Sequence, residues 1–199
     1  ELPKNGFVFT CFNHNKKITQ KEFDIWMRLL NEIEDSILWL QKSNDFSEIN
    51  LKKEAEKRNV NPERIIFATK LKSLKIHLAR YSLGDLGLDT FCYNGHTTTS
   101  DALCMGLPIV TKIGQSFSAR VSASILNSIG LNEFITSNEK EYEEKALYYA
   151  RNRFELKKIK DSLFLIKKDS SLSNRKEYTF ELEKTYSELV SKIDQQSTL

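Results

Sequence analysis

Short, wholly apolar runs alternate along the chain with longer stretches in which apolar residues recur every three or four positions. The first run, Phe7-Val8-Phe9-Thr10-Cys11, is β-branched and aromatic with no polar face, as expected of a strand covered on both sides in a parallel sheet. Phe23, Trp26, Met27, Leu30 and Ile33 then share one face of a helix over 20–33, and Ser36 to Leu40 reads as the next strand. The alternation continues with a helix over 49–58, a strand over 64–67 after the turn Asn61-Pro62, and a short helix over 73–81. A strand over 86–89, a helix over 97–105, a strand over 108–111, a helix over 118–128, a weak strand over 133–135 and a helix from Asn138 complete it. Six strand–helix units in succession predict a doubly wound parallel α/β domain. Beyond Arg151 the strand signal stops and two helices follow, over 154–168 and 175–193, with no repeat and no interdomain linker.

Composition narrows the picture. The 199 residues are 40% apolar and contain only 7 Gly and 3 Pro, enough for the core of one ordinary domain and too little of the rest for a disordered chain. Thirty basic against 27 acidic residues leave a net charge of +3, too balanced for a chain that lives mainly by binding nucleic acid. Between Arg151 and Lys184 the 10 basic residues are interspersed with 6 acidic ones, the mixture of a solvated helix face. Every apolar stretch falls short of the roughly 20 residues of a bilayer span, and no leader pattern is present, so neither a membrane nor a secreted location is expected and a cytoplasmic one is. Cys11, Cys92 and Cys104 are odd in number and lack CxxC spacing; they are expected as buried free thiols in a reducing compartment, not as a disulfide framework or zinc site. The opening Glu1-Leu2-Pro3, without Met, reads as a piece of a longer polypeptide.

In an open α/β sheet ligands bind beyond the carboxyl ends of the strands, and four polar loops fall there. Phe12-Asn13-His14-Asn15-Lys16-Lys17 follows the first strand, with no GxGxxG fingerprint. Leu88-Asp89-Thr90 through Asn94-Gly95-His96-Thr97-Thr98-Thr99-Ser100-Asp101 is the most informative. Gly95 permits close backbone approach, and hydroxyls with bare amides at a helix start suit a phosphate; equally, Thr97 or Thr98 serves as a simple N-cap. His96 is either a phosphate donor or a polar loop residue, and Asp101 either a ribose acceptor or a dipole-favoured surface carboxylate. His77 and Arg80, three apart on one helical face, could stack on and bond a base or lie on a partly exposed helix with nothing bound. The fourth loop, Gly114 to Arg120, offers Arg120 as a brace or a surface charge.

Phe12-Asn13-His14-Asn15-Lys16-Lys17-Ile18, His77-Leu78-Ala79-Arg80 and Asn94-Gly95-His96-Thr97-Thr98, with Asp101-Ala102-Leu103 and Ala119-Arg120-Val121-Ser122-Ala123-Ser124 after them, occur in an order and spacing that resembles the carboxyl-terminal catalytic lobe of the O-linked N-acetylglucosamine transferases, including SPINDLY-like and bacterial tetratricopeptide members. The likeness runs from about Gly6 to Leu189. It implies a GT-B architecture in which 1–150 is a Rossmann-like, nucleotide-sugar-binding lobe, 151–199 are helices packing on or extending it, and the first catalytic lobe and tetratricopeptide repeats lie in the longer parent.

Carried over by position, the resemblance implies that His14, Lys17, His96, Thr97 and Thr98 meet the diphosphate, Lys17 and His96 as catalytic groups. Asp101 would meet the ribose, and His77 and Arg80 the uracil. His14 stands where well-studied members have Gln, and the family's ribose lysine falls on Leu74, with Lys72 or Lys75 as substitutes. The expected donor is UDP-N-acetylglucosamine and the acceptor Ser or Thr of a protein, with no metal or other cofactor, no Asp-x-Asp motif being present. Nucleic acid and membrane are not expected partners. Two alternatives stay open: a GDP-fucose donor, as in SPINDLY-like relatives, and a non-catalytic binding or assembly module.

Overall fold

A computed structural model describes the backbone of residues 2–3, 5–169 and 174–196, and the side chains of all of these except 166–169 and 194–196. In chain order the elements are β1 (Phe7–Cys11), α1 (Gln20–Glu32), β2 (Ser36–Gln41), α2 (Asp45–Glu56), β3 (Ile65–Ala68), α3 (Leu74–Ala79) and β4 (Leu86–Leu88). There follow α4 (Thr97–Cys104), β5 (Ile109–Lys112), α5 (Val121–Ser128), β6 (Ile135–Thr136), α6 (Glu139–Arg151), α7 (Arg153–Asp169) and α8 (Arg175–Gln196). The strands form one parallel sheet in the order β3-β2-β1-β4-β5-β6. Chain direction across the sheet therefore reverses between β1 and β4, and the crevice above their carboxyl ends is where a doubly wound sheet takes its ligand.

Both faces of the sheet are covered, and the two-residue period of a strand sorts its side chains between them. Phe7, Phe9, Cys11, Leu38 and Leu40 join the larger core with Trp26, Leu29 and Leu30 of α1 and Tyr142 and Ala146 of α6. Val8, Phe12, Ile37, Trp39 and Ile109 face the opposite way, onto Tyr81 and Ala102. This double coverage is why the strands carry no polar face.

α1 begins with Thr19 and Glu22 exchanging a capping box, and its carboxyl end is held by Arg64, whose guanidinium donates to the carbonyls of Leu30 (2.6 Å), Ile33 (2.8 Å) and Ser36 (2.7 Å). α2 starts four residues before the apolar pattern suggests, because Asn44 caps it by accepting from the Ser47 amide at 2.8 Å. β6 is only two residues long, the preceding 132–134 forming a 3-10 turn in place of the expected strand. α7 contributes Leu156 and Leu163 to the larger core and anchors to the sheet through Lys160, which donates to Gly84 O at 2.6 Å. None of the described α8 side chains belongs to either core cluster. No helix among the described residues is long and apolar enough to cross a membrane.

Candidate functional site

The loops that follow β1 and β4 are joined by one buried network. Asn13 donates from Nδ2 to Asp89 Oδ1 (2.9 Å) and Thr90 Oγ1 (2.8 Å), and its Oδ1 accepts from Thr98 Oγ1 (2.6 Å). Asp89, 2% exposed, also accepts from the amides of Thr90 (2.9 Å) and Gly95 (2.7 Å) and from Thr111 Oγ1 (2.7 Å). Burial pushes its carboxyl pKa up while these donors pull it down. A carboxylate with four donors is the arrangement that lets a charge stay buried. From below, Trp26 Nε1 donates to Tyr142 Oη (3.1 Å), which donates to Asp89 O (3.1 Å), so α1 and α6 brace the same point.

This network fixes a turn packed so closely that Gly95 has no room for a side chain unless a threonine hydroxyl shifts. A Cβ on Gly95 would lie 2.3 Å from Thr99 Oγ1 and 2.8 Å from Thr98 Oγ1. Ser122 Oγ closes the turn by donating to Gly95 O at 2.9 Å. α4 thus opens toward the crevice, and among the described residues the amides of Thr97 and Thr98 find no acceptor. Two N–H groups without acceptors at the positive end of the helix dipole are the features that suit an anion.

Lys17 reaches over the same terminus. It ends a 3-10 turn at Asn15–Lys17, and its Nζ donates to Asn94 O at 2.9 Å and stands 4.1 Å above the Tyr93 ring centroid. Partial burial lowers its pKa, opposed by the nearby Asp89 charge. His96, the residue before α4, stacks on Tyr93 with centroids 5.0 Å apart, and its buried Nε2 has no hydrogen-bond partner among the described residues. Lys17, His96, Thr97 and Thr98 are therefore gathered in one place. The Thr98 hydroxyl is engaged with Asn13, which leaves its amide for a ligand.

A second compartment adjoins it. His77 of α3 and Arg80 just after it flank Phe12, the His77 ring 6.4 Å and the Arg80 guanidinium 5.8 Å from the Phe12 ring centroid. Both terminal nitrogens of Arg80 donate to Thr69 O at 3.0 Å, holding the loop after β3. A pocket of ≈ 330 Å³ opens between Phe12, Thr69, Lys72, Leu74, His77 and Arg80. Lys70 and Lys72 line it, whereas Lys75 does not. Asp101 is close enough to His77 for the imidazole to lower its pKa, against the larger upward push of burial.

Two further residues make other contacts. His14 caps the turn before Lys17 by accepting from the Lys16 amide at Nδ1 (3.2 Å), and its Nε2 lies 3.3 Å from Ser43 Oγ, so both ring nitrogens face local partners. Arg120 lines a different pocket, with Phe117 and Val121. Of the three cysteines, Cys11 is buried, Cys104 partly so and Cys92 exposed. Cys92 therefore departs from the expected buried thiol, because the β4–α4 loop turns it to the surface with Tyr93 while its neighbour Phe91 enters the core. Asn13 and Asp89 carry the geometry of the site yet draw no role from sequence pattern alone. The available signal was a carboxylate directly after a wholly apolar strand, a position that demands compensating donors.

Comparison with known proteins agrees with this architecture. Residues 1–182 match the description of glycosyl transferase family 41. A UDP-N-acetylglucosamine–peptide N-acetylglucosaminyltransferase from Caenorhabditis elegans is 31% identical over 92% of this chain and 16% of its own length. A probable UDP-N-acetylglucosamine–peptide N-acetylglucosaminyltransferase SPINDLY from Petunia hybrida is 34% identical over 92% of this chain and 20% of its own. The chain thus spans a fifth or less of these curated relatives. Among solved structures, an O-GlcNAc transferase mutant from Thermobaculum terrenum superposes with a TM-score of 0.85 at 30% identity, over 91% of this chain and 35% of that one. The pneumococcal O-GlcNAc transferase GtfA, in complex with UDP and GlcNAc, shares the fold at a TM-score of 0.57 and 13% identity over 92% of this chain and 35% of that one. The Rossmann-like parallel sheet is one shared with GT-B glycosyltransferases, and the chain belongs to glycosyl transferase family 41.

Proposed function

We propose that this chain is the donor-binding lobe of an inverting protein O-glycosyltransferase and grips the nucleotide of UDP-N-acetylglucosamine for transfer of the sugar to Ser or Thr of a protein. The observation that carries the reading is the convergence, above the β1/β4 crossover, of the Lys17 ammonium with the two open amides that begin α4. Those groups suit a diphosphate, with the His96 ring beside it. The adjoining pocket suits a nucleoside, with the base against His77 and Arg80; Asp101, which feels the His77 charge but does not line that pocket, is the acceptor proposed for a ribose hydroxyl.

In the transfer, the acceptor hydroxyl oxygen forms a bond to the anomeric carbon as the bond from that carbon to the β-phosphate oxygen breaks. The hydroxyl proton passes to a base contributed by the first catalytic lobe, and the bonding pair leaves on the phosphate. Lys17 and the α4 amides face the charge that grows there, and fixed donors aimed at developing charge can be the largest catalytic contribution. The isolated lobe binds nucleotide weakly and turns over little, since sugar and acceptor contacts lie largely in the other lobe.

Calorimetric titration of the folded 199-residue chain tests the reading. UDP is expected to bind saturably. Lys17→Ala should weaken both UDP and inorganic pyrophosphate, whereas His77→Ala should weaken UDP alone. Preference for GDP over UDP would replace the proposed donor, and absence of binding for either nucleotide would favour a non-catalytic module.

A further inference from the structure

Beneath the first turn of α4 lies a small cavity of ≈ 20 Å³, walled by Thr10 of β1, Gly87 of β4, Thr98, Thr99 and Ala102 of α4, and Tyr81 from the turn after α3. The hydroxyls of Thr10 and Tyr81 are buried and have no hydrogen-bond partner among the described residues. Each such hydroxyl left unsatisfied costs about 1–3 kcal/mol, so two on one cavity wall call for a shared partner. The volume is right for one molecule of water, which needs upwards of roughly 10–15 Å³ and two to four polar neighbours. Gly84 packs against the Thr10 side chain, where a Cβ would come within 2.4 Å of Thr10 Oγ1.

We infer that the cavity is a specific site for one buried water bridging Thr10 Oγ1 and Tyr81 Oη, and that through this bridge Tyr81 is a positioning residue for the base compartment. The Tyr81 ring stands edge-on to Phe12 (centroids 5.0 Å apart, 67°) and to His77 (5.6 Å, 81°). Its rotation about the Cβ–Cγ bond and its depth in the core set where those two rings lie, and the hydroxyl is the one polar handle by which β1 can hold it. Burial raises the Tyr81 pKa, so the group is a neutral donor and acceptor across the working pH range. The bridge stands independently of the proposed function, whereas the positioning role rests on it.

The test uses the 199-residue chain and the near-isosteric variants Tyr81→Phe, Thr10→Val and the double variant. Water magnetic relaxation dispersion counts long-lived internal waters, and each variant is expected to hold one fewer than the parent. In urea unfolding the double variant should lose less than the sum of the single losses, because once one hydroxyl is gone the other no longer has its bridge. Equal water counts in all four proteins together with additive losses would overturn the bridge. For the positioning role, Tyr81→Phe should bind UDP roughly threefold to tenfold more weakly and pyrophosphate as the parent does. Loss of the water with unchanged UDP affinity would overturn that role. Failure of the parent to bind UDP would remove the proposed function and the positioning role with it, while the water count and the double-variant cycle would still decide the bridge.

Discussion

Lys17 and Asp101 carry opposite charges at the diphosphate and ribose positions of the proposed nucleotide site, and burial works against both. It holds the Lys17 ammonium below the ordinary lysine value of 10.5 and the Asp101 carboxyl above the ordinary aspartate value of 3.8, the latter opposed by His77. The forms that bind are the ammonium and the carboxylate. UDP affinity should therefore fall as pH rises through the Lys17 pKa and fall again as pH drops through that of Asp101, a bell with both limbs drawn inward. Titrations between about pH 4 and about pH 10 should show the alkaline limb moved outward in Lys17→Arg and the acid limb removed in Asp101→Asn, the ligand's own ionisation cancelling in each comparison. At this scale the sequence shows which polar groups the structure brings together: Lys17, Gly95 and the threonines of the first turn of α4 are neighbours, as their spacing suggests. It was silent on Asn13 and Asp89, because a buried polar residue is defined by partners up to 85 positions away, and no local pattern encodes them.

Among the elements, those with an apolar stripe were readable and those defined by caps were not. β1 and α1 fall where the pattern predicts, since Phe7 to Cys11 and the Phe23-Trp26-Met27-Leu30 face are each buried. The first turn of α2 has little buried surface to betray it and exists through the Asn44 cap; likewise the 3-10 turn before β6 replaced residues whose apolarity suits either form. Gly106 supplies an element-scale prediction. It ends α4 with φ +77°, and a Cβ there would meet the Phe164 ring of α7 at 2.6 Å. Gly106→Ala should combine left-handed strain with displacement of that ring and lower unfolding free energy by about 1–3 kcal/mol, measured by urea denaturation.

For the whole molecule, the two carboxyl-terminal helices differ in kind. Leu163 of α7 is 3% exposed within the main core, so Leu163→Ala should cost about 2–4 kcal/mol. α8 leaves Tyr178, Tyr186, Leu189 and Val190 at least half exposed, and deletion of 175–199 should change stability by less than about 0.5 kcal/mol in the same urea assay. A large loss on deletion would mean that α8 is part of the folding unit. The overall topology was legible because six strand–helix alternations admit few arrangements. A reversal is implied by the doubly wound reading, but its position between β1 and β4 was not legible, since strand order depends on which crossovers pass over which face. The buried link from Asn13 to Asp89, Thr90 and Thr98 has a consequence for how a ligand would be met. Because folding itself clasps the two loops together, their conformational entropy is already lost before any ligand arrives, so the proposed phosphate groove would act as a rigid mould and ligands would differ chiefly in how slowly they leave it.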